Sequence, residues 1–141
     1  LWLKTGKLAG AQHCRRRHDG LVRRRAEQDH RRSERDVDKH HSDAPVAFVD
    51  VETTGGHPAW HRITEVAIIT ARDGCVEEEW STLVNPGMRI PAGIEALTGI
   101  SNDMVADAPP FERIAEAVRQ RLAGRLFVAH NARFDYGFVR S

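Results

Sequence analysis

Two acids, Asp50 and Glu52, are the residues of this chain whose types and spacing best suit metal chemistry. They end the run APVAFVDVE at residues 44–52, whose β-branched and apolar side chains predict a buried strand. Side chains two positions apart on a strand project from one face, so both carboxylates are expected in one site. Neighbouring carboxylates beside an apolar core repel each other unless a cation compensates them. By itself such a pair is a weak signal, because acids at a strand end are more often structural or solvated than functional. A divalent cation, Mg²⁺ or Mn²⁺, is the alternative that would compensate their repulsion.

Two further strands and two short helices are expected after this strand. RITEVAIITARDG at residues 62–74 alternates, becomes continuously apolar and ends in an Asp-Gly turn, and VEEEWSTLV follows at residues 76–84. Together with the acidic strand, these segments predict a β-meander. Short helices are expected around residues 93–97 and 102–105, where Ser101 is a suitable N-cap.

A longer helix and a second strand-helix unit complete the expected domain. RLFVAHN at residues 125–131 predicts a fourth strand, and ARFDYGFVRS at residues 132–141 predicts a helix. Three strands, a helix, a strand and a helix predict an α/β domain. The most regular helix is amphipathic and can end at Gly124. Its apolar positions are Phe111, Ile114, Ala115, Val118 and Leu122.

Charge is divided unevenly along the 141 residues, although the net charge is only +1. Residues 1–44 hold 12 Lys and Arg against 7 Asp and Glu, a net +5, whereas residues 45–141 hold 9 Arg against 13 acids, a net −4. The first segment has arginine runs and little apolar periodicity, so we expect a solvated arm, disordered or partly helical. Sequence foreign to the domain and a nucleic-acid contact are the alternatives, and interleaved acids weaken the latter. The folded domain is expected at residues 45–141.

Cysteine content and hydropathy indicate in which cellular compartment the protein is expected. Cys14 and Cys75 are the only cysteines. They are too few and too far apart for a disulfide framework or a closed zinc site, which predicts free thiols. No apolar stretch approaches the roughly 18 residues of a membrane span, and the opening residues lack the apolar core of a signal peptide. We therefore predict a cytoplasmic protein with no membrane partner.

Four motifs occur in order along the predicted domain: FVDVETTGG at residues 48–56, RITEVAII at 62–69, ALTGIS at 96–101 and HNARFD at 130–135. With these motifs the chain resembles the DEDD-type 3'→5' exonucleases, and in particular the proofreading epsilon subunit of bacterial DNA polymerase III. The resemblance covers residues 45–141. It implies a ribonuclease H-like exonuclease fold with a mixed sheet, and four linked motifs are far more specific than an acidic pair.

The resemblance also implies a catalytic, metal-binding role for three acids. Asp50, Glu52 and Asp135 match the carboxylates of the first two family motifs, which hold two Mg²⁺ or Mn²⁺ ions. Taken alone, Asp135 is interpreted first as an acid in the first turn of a helix, where the helix dipole favours it.

Five further residues match positions near the substrate in that family. The backbone at Thr53 and Thr54 would lie against the terminal nucleotide, Leu97 near the terminal base, and Asn131 and Phe134 beside the substrate strand. From residue type alone, the threonines are turn residues, Asn131 is a helix cap, and Leu97 and Phe134 are core residues.

The third family motif, His-x4-Asp, does not follow Asp135, after which only six residues remain. The resemblance therefore implies a fragment without the general-base histidine and the fourth acid. Loss of a general base typically costs about 10²–10⁴ in rate, so this chain is expected to be nearly inactive. His57 and His61 match neither role, and we interpret them as exposed loop residues without a partner.

The function expected from these observations is metal-dependent 3'→5' hydrolysis of single-stranded nucleic-acid ends to nucleoside 5'-monophosphates. The substrate is a DNA or RNA 3' end, and the role is proofreading in DNA replication, beside a polymerase subunit, or stand-alone trimming. A different class remains open: a non-catalytic nucleic-acid or protein interaction module with an acidic pocket but no base, in which the basic arm supplies the phosphate contacts.

Overall fold

The computed structural model describes residues 44–141, which form a four-stranded mixed sheet. The strands are β1 (Val46–Thr53), β2 (Ile63–Arg72), β3 (Cys75–Leu83) and β4 (Leu126–Val128). Their order across the sheet is β3-β2-β1-β4. β2 pairs antiparallel with both β1 and β3, whereas β4 pairs parallel with the first part of β1. The predicted meander and fourth strand are both confirmed.

Local sequence accounts for the hairpin between β2 and β3. Asp73 and Gly74 have φ values of 52° and 74°, and two positive φ values in succession are what a tight type I′ turn requires. Asp is among the few non-glycine residues that adopt this conformation readily. The Asp-Gly turn predicted from the sequence therefore fixes this hairpin.

Within residues 44–141, four helices accompany the sheet: α1 (Ala92–Thr98), α2 (Asn102–Val105), α3 (Phe111–Leu122) and α4 (Ala132–Arg140). The Ser101 side chain accepts a hydrogen bond of 3.3 Å from the Met104 backbone N–H, as an N-cap residue does. After α3, Gly124 has a φ of 69°, a conformation that glycine adopts without the penalty of a Cβ atom. These helices and their boundaries agree with the pattern in the sequence.

The main core lies between one face of the sheet and helices α3 and α4. Along β1, the alternate residues Ala47, Val49 and Val51 are buried, and they belong to one cluster with Val118 and Phe138. The intervening residues of β1 project from the opposite face. The fold is thus the α/β, ribonuclease H-like arrangement that was predicted, and its core face supports β1 directly beneath the two acids.

The state of Cys75 differs from the sequence prediction. Cys75 is disulfide-bonded, which corrects the prediction of a free thiol at this position. Its partner and residues 1–43 of the predicted arm lie outside the described residues. Within residues 44–141, no helix combines the length and the apolar character needed to cross a membrane.

Candidate active site

Asp50 and Glu52 lie on the face of β1 opposite the main core. Both are half-buried, whereas Val49, Val51 and Thr53 between and beside them are buried. The pairing of β1 with β2 shifts register between Glu52 and Thr53. Such bulges bend a strand and are common beside active sites, where they redirect side chains. The sequence prediction that both carboxylates share one face is in keeping with this alternation.

Asp135 reaches the same stretch of β1 from helix α4. Its side chain is only 4% exposed. Beyond Phe48, where the pairing with β4 ends, the Val51 backbone N–H donates to Asp135 Oδ1 at 3.2 Å. The acceptor is 84 positions away in sequence. Folding therefore places the third predicted acid against the backbone that joins the first two.

The electrostatic environment of Asp135 is unfavourable to its charge. Burial raises the pKa of this carboxyl above its usual 3.8, backbone hydrogen bonds including that from Val51 lower it, and the negative charge of Asp50 raises it further. The net shift is upward. A cation at this point would offset both causes of the rise, because it would replace lost hydration and neutralise the repulsion from Asp50.

The donor set fits a hard divalent cation in kind but is only partly assembled. Asp50 and Asp135 interact electrostatically, and carboxylate oxygens are the ligands that Mg²⁺ and Mn²⁺ prefer. In residues 44–141, however, no group of three or more His, Cys, Asp or Glu side chains is close enough to hold a metal ion. The place of Glu52 in a metal site stays a prediction.

The two threonines after Glu52 organise the loop that follows β1. Thr53 Oγ1 donates to the Gly55 carbonyl at 2.7 Å. Thr54 Oγ1 donates to the Met88 sulfur at 3.6 Å and accepts from the Arg62 backbone N–H at 3.1 Å. Both threonines are buried. Their hydroxyl groups are thus committed to the protein, which leaves the predicted substrate role to the backbone.

Leu97 is 72% exposed on helix α1. This corrects the reading of Leu97 as a core residue and leaves its predicted contact with the terminal base as a hypothesis. Met88 is also exposed and contacts Thr54, a neighbour that the sequence pattern does not reveal.

Asn131 and Phe134 belong to the start of helix α4. Asn131 is exposed at the N-cap position, but its side chain makes no capping hydrogen bond. Its carbonyl accepts from the Phe134 and Asp135 backbone N–H groups at 2.8 and 3.1 Å. Phe134 is half-buried and packs against Phe138, with ring centroids 4.9 Å apart. Phe134 therefore packs against the main core, as its residue type predicted. Contact of Asn131 or Phe134 with a substrate stays a prediction.

The two loop histidines have partners, which corrects their interpretation as unpartnered residues. The His57 backbone N–H donates to His61 Nδ1 at 3.2 Å, and the Ala59 backbone N–H donates to His57 Nδ1 at 3.2 Å. Both rings therefore hold the loop in shape. Sequence reasoning also overlooked Trp60 between them, which is 75% exposed. A large aromatic residue among turn-forming residues is the signal that could have drawn attention to it.

A mixed α/β sheet with two acids at the end of the interior strand β1 and a third on helix α4, which follows β4, is an arrangement of the ribonuclease H-like fold. Residues 47–141 match the sequence profile of the RNase_T family, described as exonuclease. The chain belongs to this exonuclease family.

Two curated relatives show how the match is distributed. Over 93 residues the chain is 50% identical to the 3'-5' exonuclease DinG of Bacillus subtilis, a match that covers 65% of this chain and 10% of that protein. Over 96 residues it is 39% identical to a PolC-type DNA polymerase III of Staphylococcus saprophyticus. This match covers 68% of this chain and 7% of that protein. The chain thus spans a tenth or less of the length of these relatives.

Solved structures give the same fold. Exonuclease X in complex with 5' overhanging duplex DNA is 31% identical with a TM-score of 0.58, and the match covers 66% of this chain and 52% of that one. Escherichia coli exonuclease I in complex with a dT13 oligonucleotide is 23% identical with a TM-score of 0.62. This match covers 70% of this chain and 23% of that one. The second likeness shows the fold alone.

Proposed function

We propose that residues 45–141 carry the larger part of a metal-dependent 3'→5' exonuclease site that hydrolyses single-stranded nucleic-acid ends to nucleoside 5'-monophosphates. The observation that carries this proposal is the hydrogen bond from the Val51 N–H to Asp135 Oδ1. It brings a buried, repelled carboxylate to the backbone between Asp50 and Glu52, which is the arrangement a shared cation site needs. Membership of the exonuclease family supports the same conclusion.

In this proposal the three acids bind divalent cations and the neighbouring backbone binds the substrate. Bound cations in such a site supply positive charge to the scissile phosphate and to the attacking water. Asp50, Glu52 and Asp135 hold them with carboxylate oxygens. The backbone at Thr53 and Thr54 lies against the terminal nucleotide, with Leu97 near the terminal base. Asn131 and Phe134 lie beside the substrate strand.

The general base and the fourth acid of this scheme are the His-x4-Asp motif, which does not occur after Asp135 in this sequence. We propose that these two residues are supplied by other parts of the protein. Without a general base the rate falls by about 10²–10⁴, so the 141-residue chain by itself is expected to be nearly inactive.

DNA is the favoured substrate class, because the curated relatives include a DNA polymerase III and the structural neighbours include exonuclease X with DNA. Work beside a DNA polymerase follows as the favoured setting, and trimming of RNA is the alternative. The predicted cytoplasmic location stays part of this proposal.

The experiment follows a 5'-labelled single-stranded oligonucleotide with the protein as its gene encodes it. With Mg²⁺, we expect stepwise shortening from the 3' end, and with Asp50→Ala a loss of at least about 100-fold, since removal of even an outer-shell partner of a metal costs 10–100-fold. Asp107→Ala is the control, because Asp107 is an exposed acid outside the proposed site. Undiminished shortening by Asp50→Ala would refute the site. A stop codon directly after Ser141, together with unchanged oligonucleotides, would favour the non-catalytic module instead.

A further inference from the structure

Trp60 stands out among the exposed apolar residues because of its surroundings. Single exposed apolar residues are ordinary in proteins and carry no meaning by themselves. At 75% exposure, however, Trp60 leaves most of its surface in solvent, whereas Trp80 is half-buried beneath the Arg121 guanidinium, 4.4 Å from the ring centroid. The environment of the loop that carries Trp60 decides whether it is more than an isolated apolar residue.

The loop at residues 54–62 is held in one conformation by its own hydrogen bonds. At its base, the Thr54 N–H donates to the Arg62 carbonyl at 2.8 Å. At its tip, the Trp60 and His61 N–H groups donate to the His57 carbonyl at 3.0 and 2.9 Å. The His61 ring covers Gly55 so closely that a Cβ atom there would lie 2.4 Å from it. Trp60 is therefore presented on a fixed support, which reduces the entropy lost when a ligand stacks on it.

The same loop touches both elements that carry the proposed metal ligands. It begins where β1 ends, directly after Glu52 and Thr53. On its other side, the Pro58 Cγ atom lies 3.8 Å from the position of a Cβ built on Gly137, two residues after Asp135 on helix α4. The loop therefore adjoins both the strand that carries Asp50 and Glu52 and the helix that carries Asp135.

The charge of the loop suits an anionic strand. Residues 54–62 contain Arg62 and two histidines but no acid, although residues 45–141 as a whole have a net charge of −4. Arg62 Nη1 donates to the Pro58 and His61 carbonyls at 3.3 and 2.8 Å, which holds the guanidinium along the loop. A guanidinium has five N–H donors, so this anchoring leaves capacity for a phosphate.

We propose that the loop at residues 54–62 is a nucleotide-binding platform, on which Trp60 stacks against a base of single-stranded DNA and Arg62 contacts the adjoining phosphate. The proposal rests on the function proposed above and adds a residue that determines substrate binding. Stacking on an aromatic side chain tolerates every base and is found in proteins that hold single strands without sequence preference. A duplex, whose bases stack on one another, would not offer this contact.

The experiment measures binding of fluorescein-labelled dT12 to the 141-residue chain in EDTA, where hydrolysis cannot occur. Salt near 150 mM weakens contacts that depend only on charge. Trp60→Ala is expected to weaken binding by roughly 5- to 150-fold, the range measured for loss of one base-aromatic stack. Trp60→Phe should retain most of the affinity. Leu126→Ala is the matched control, because Leu126 is 62% exposed but pairs with Val46 at the opposite end of β1.

A series of oligonucleotides with one abasic position each then separates stacking from any structural effect. For the wild-type chain, affinity should fall at one position of the strand. For Trp60→Ala, the same abasic position should cost nothing further, because the stacking partner is already gone. Equal penalties in both chains, or equal affinity of Trp60→Ala and wild type, would overturn the platform while the exonuclease proposal stands. Absence of oligonucleotide binding by the wild-type chain overturns the platform, and absence of shortening by the protein as its gene encodes it is the separate result that overturns the exonuclease proposal.

Discussion

At the scale of single residues, Asp135 combines burial, a hydrogen bond to Val51 and a raised pKa. The folded protein therefore holds the Asp135 proton to a higher pH than the unfolded chain does. This stabilising contribution is fully present below the usual pKa of 3.8 and is lost as pH rises through the folded-state value. Ionised Asp135 thus destabilises the metal-free fold near neutral pH.

We predict that Asp135→Asn raises the melting temperature by a few degrees at pH 7 in EDTA. The amide keeps an oxygen for the Val51 N–H but carries no charge. Thermal denaturation across pH should also show that the variant loses the decline in stability that begins above pH 3.8 in the wild type.

Asp107→Asn provides the control, since Asp107 is exposed and should behave as wild type. Added Mn²⁺ should raise the melting temperature of wild type and of this control, but not of Asp135→Asn, because a ligand that binds only the folded state stabilises it. A lower melting temperature for Asp135→Asn in EDTA would contradict the inference that the charge of Asp135 destabilises the metal-free fold.

The adjacent glycines Gly55 and Gly56 offer a second comparison at this scale. A Cβ at Gly55 would meet the His61 ring at 2.4 Å, whereas a Cβ at Gly56 would meet nothing within 4 Å. We predict that Gly55→Ala costs about 1–3 kcal/mol in the free energy of unfolding, the usual cost of overpacking. Gly56→Ala should stay within about 0.5 kcal/mol of wild type. Urea denaturation of both variants checks this, and equal effects would argue against the packing of His61 on Gly55.

At the scale of elements, helix α4 matters because its docking on the sheet determines where Asp135 lies. Phe138 anchors this helix in the main core at 2% exposure, whereas Tyr136 on the same helix is 50% exposed and makes a T-shaped ring contact with Phe127. We predict that Phe138→Ala lowers the free energy of unfolding by about 3–5 kcal/mol. Tyr136→Ala should cost no more than about 1.5 kcal/mol, the value of one aromatic pair. Urea denaturation compares the two, and similar losses would show that α4 is not anchored through Phe138.

The elements themselves could be predicted because each has a local cause. The helical spacing of the apolar residues predicts α3. The Asp73-Gly74 pair predicts the hairpin, and Ser101 predicts the start of α2. The exposure of Leu97 and the ring contacts of His61 could not be predicted, because they depend on residues from other parts of the chain. The hydrogen bond between Val51 and Asp135 joins positions 84 apart, so nothing in either local sequence encodes it. The family resemblance suggested the acids. The parallel pairing of β4 with β1 explains how Asp135, on the helix after β4, comes close to Asp50.

At the scale of the whole molecule, the division between residues 1–44 and 45–141 is a prediction from charge and hydropathy. The first segment contains 12 Lys and Arg, all of them sites for trypsin. We predict that brief digestion under reducing conditions removes this segment up to Lys39 and leaves a fragment of residues 40–141. Arg62, the next site, has its backbone N–H and carbonyl hydrogen-bonded to Thr54, which protects it from cleavage. Mass spectrometry identifies the fragment, and earlier cleavage inside residues 45–141 would contradict the proposed boundary.

The distance in sequence between Val51 and Asp135 has a consequence for the order of events during synthesis. The strand that carries Asp50 and Glu52 leaves the ribosome long before the helix that carries Asp135. A chain at that stage has two of its acids in place but lacks the third. We therefore expect that the proposed metal site gains its third acid only after α4 docks on the sheet, so that a nascent or misfolded copy with α4 undocked binds divalent cations more weakly than the folded chain.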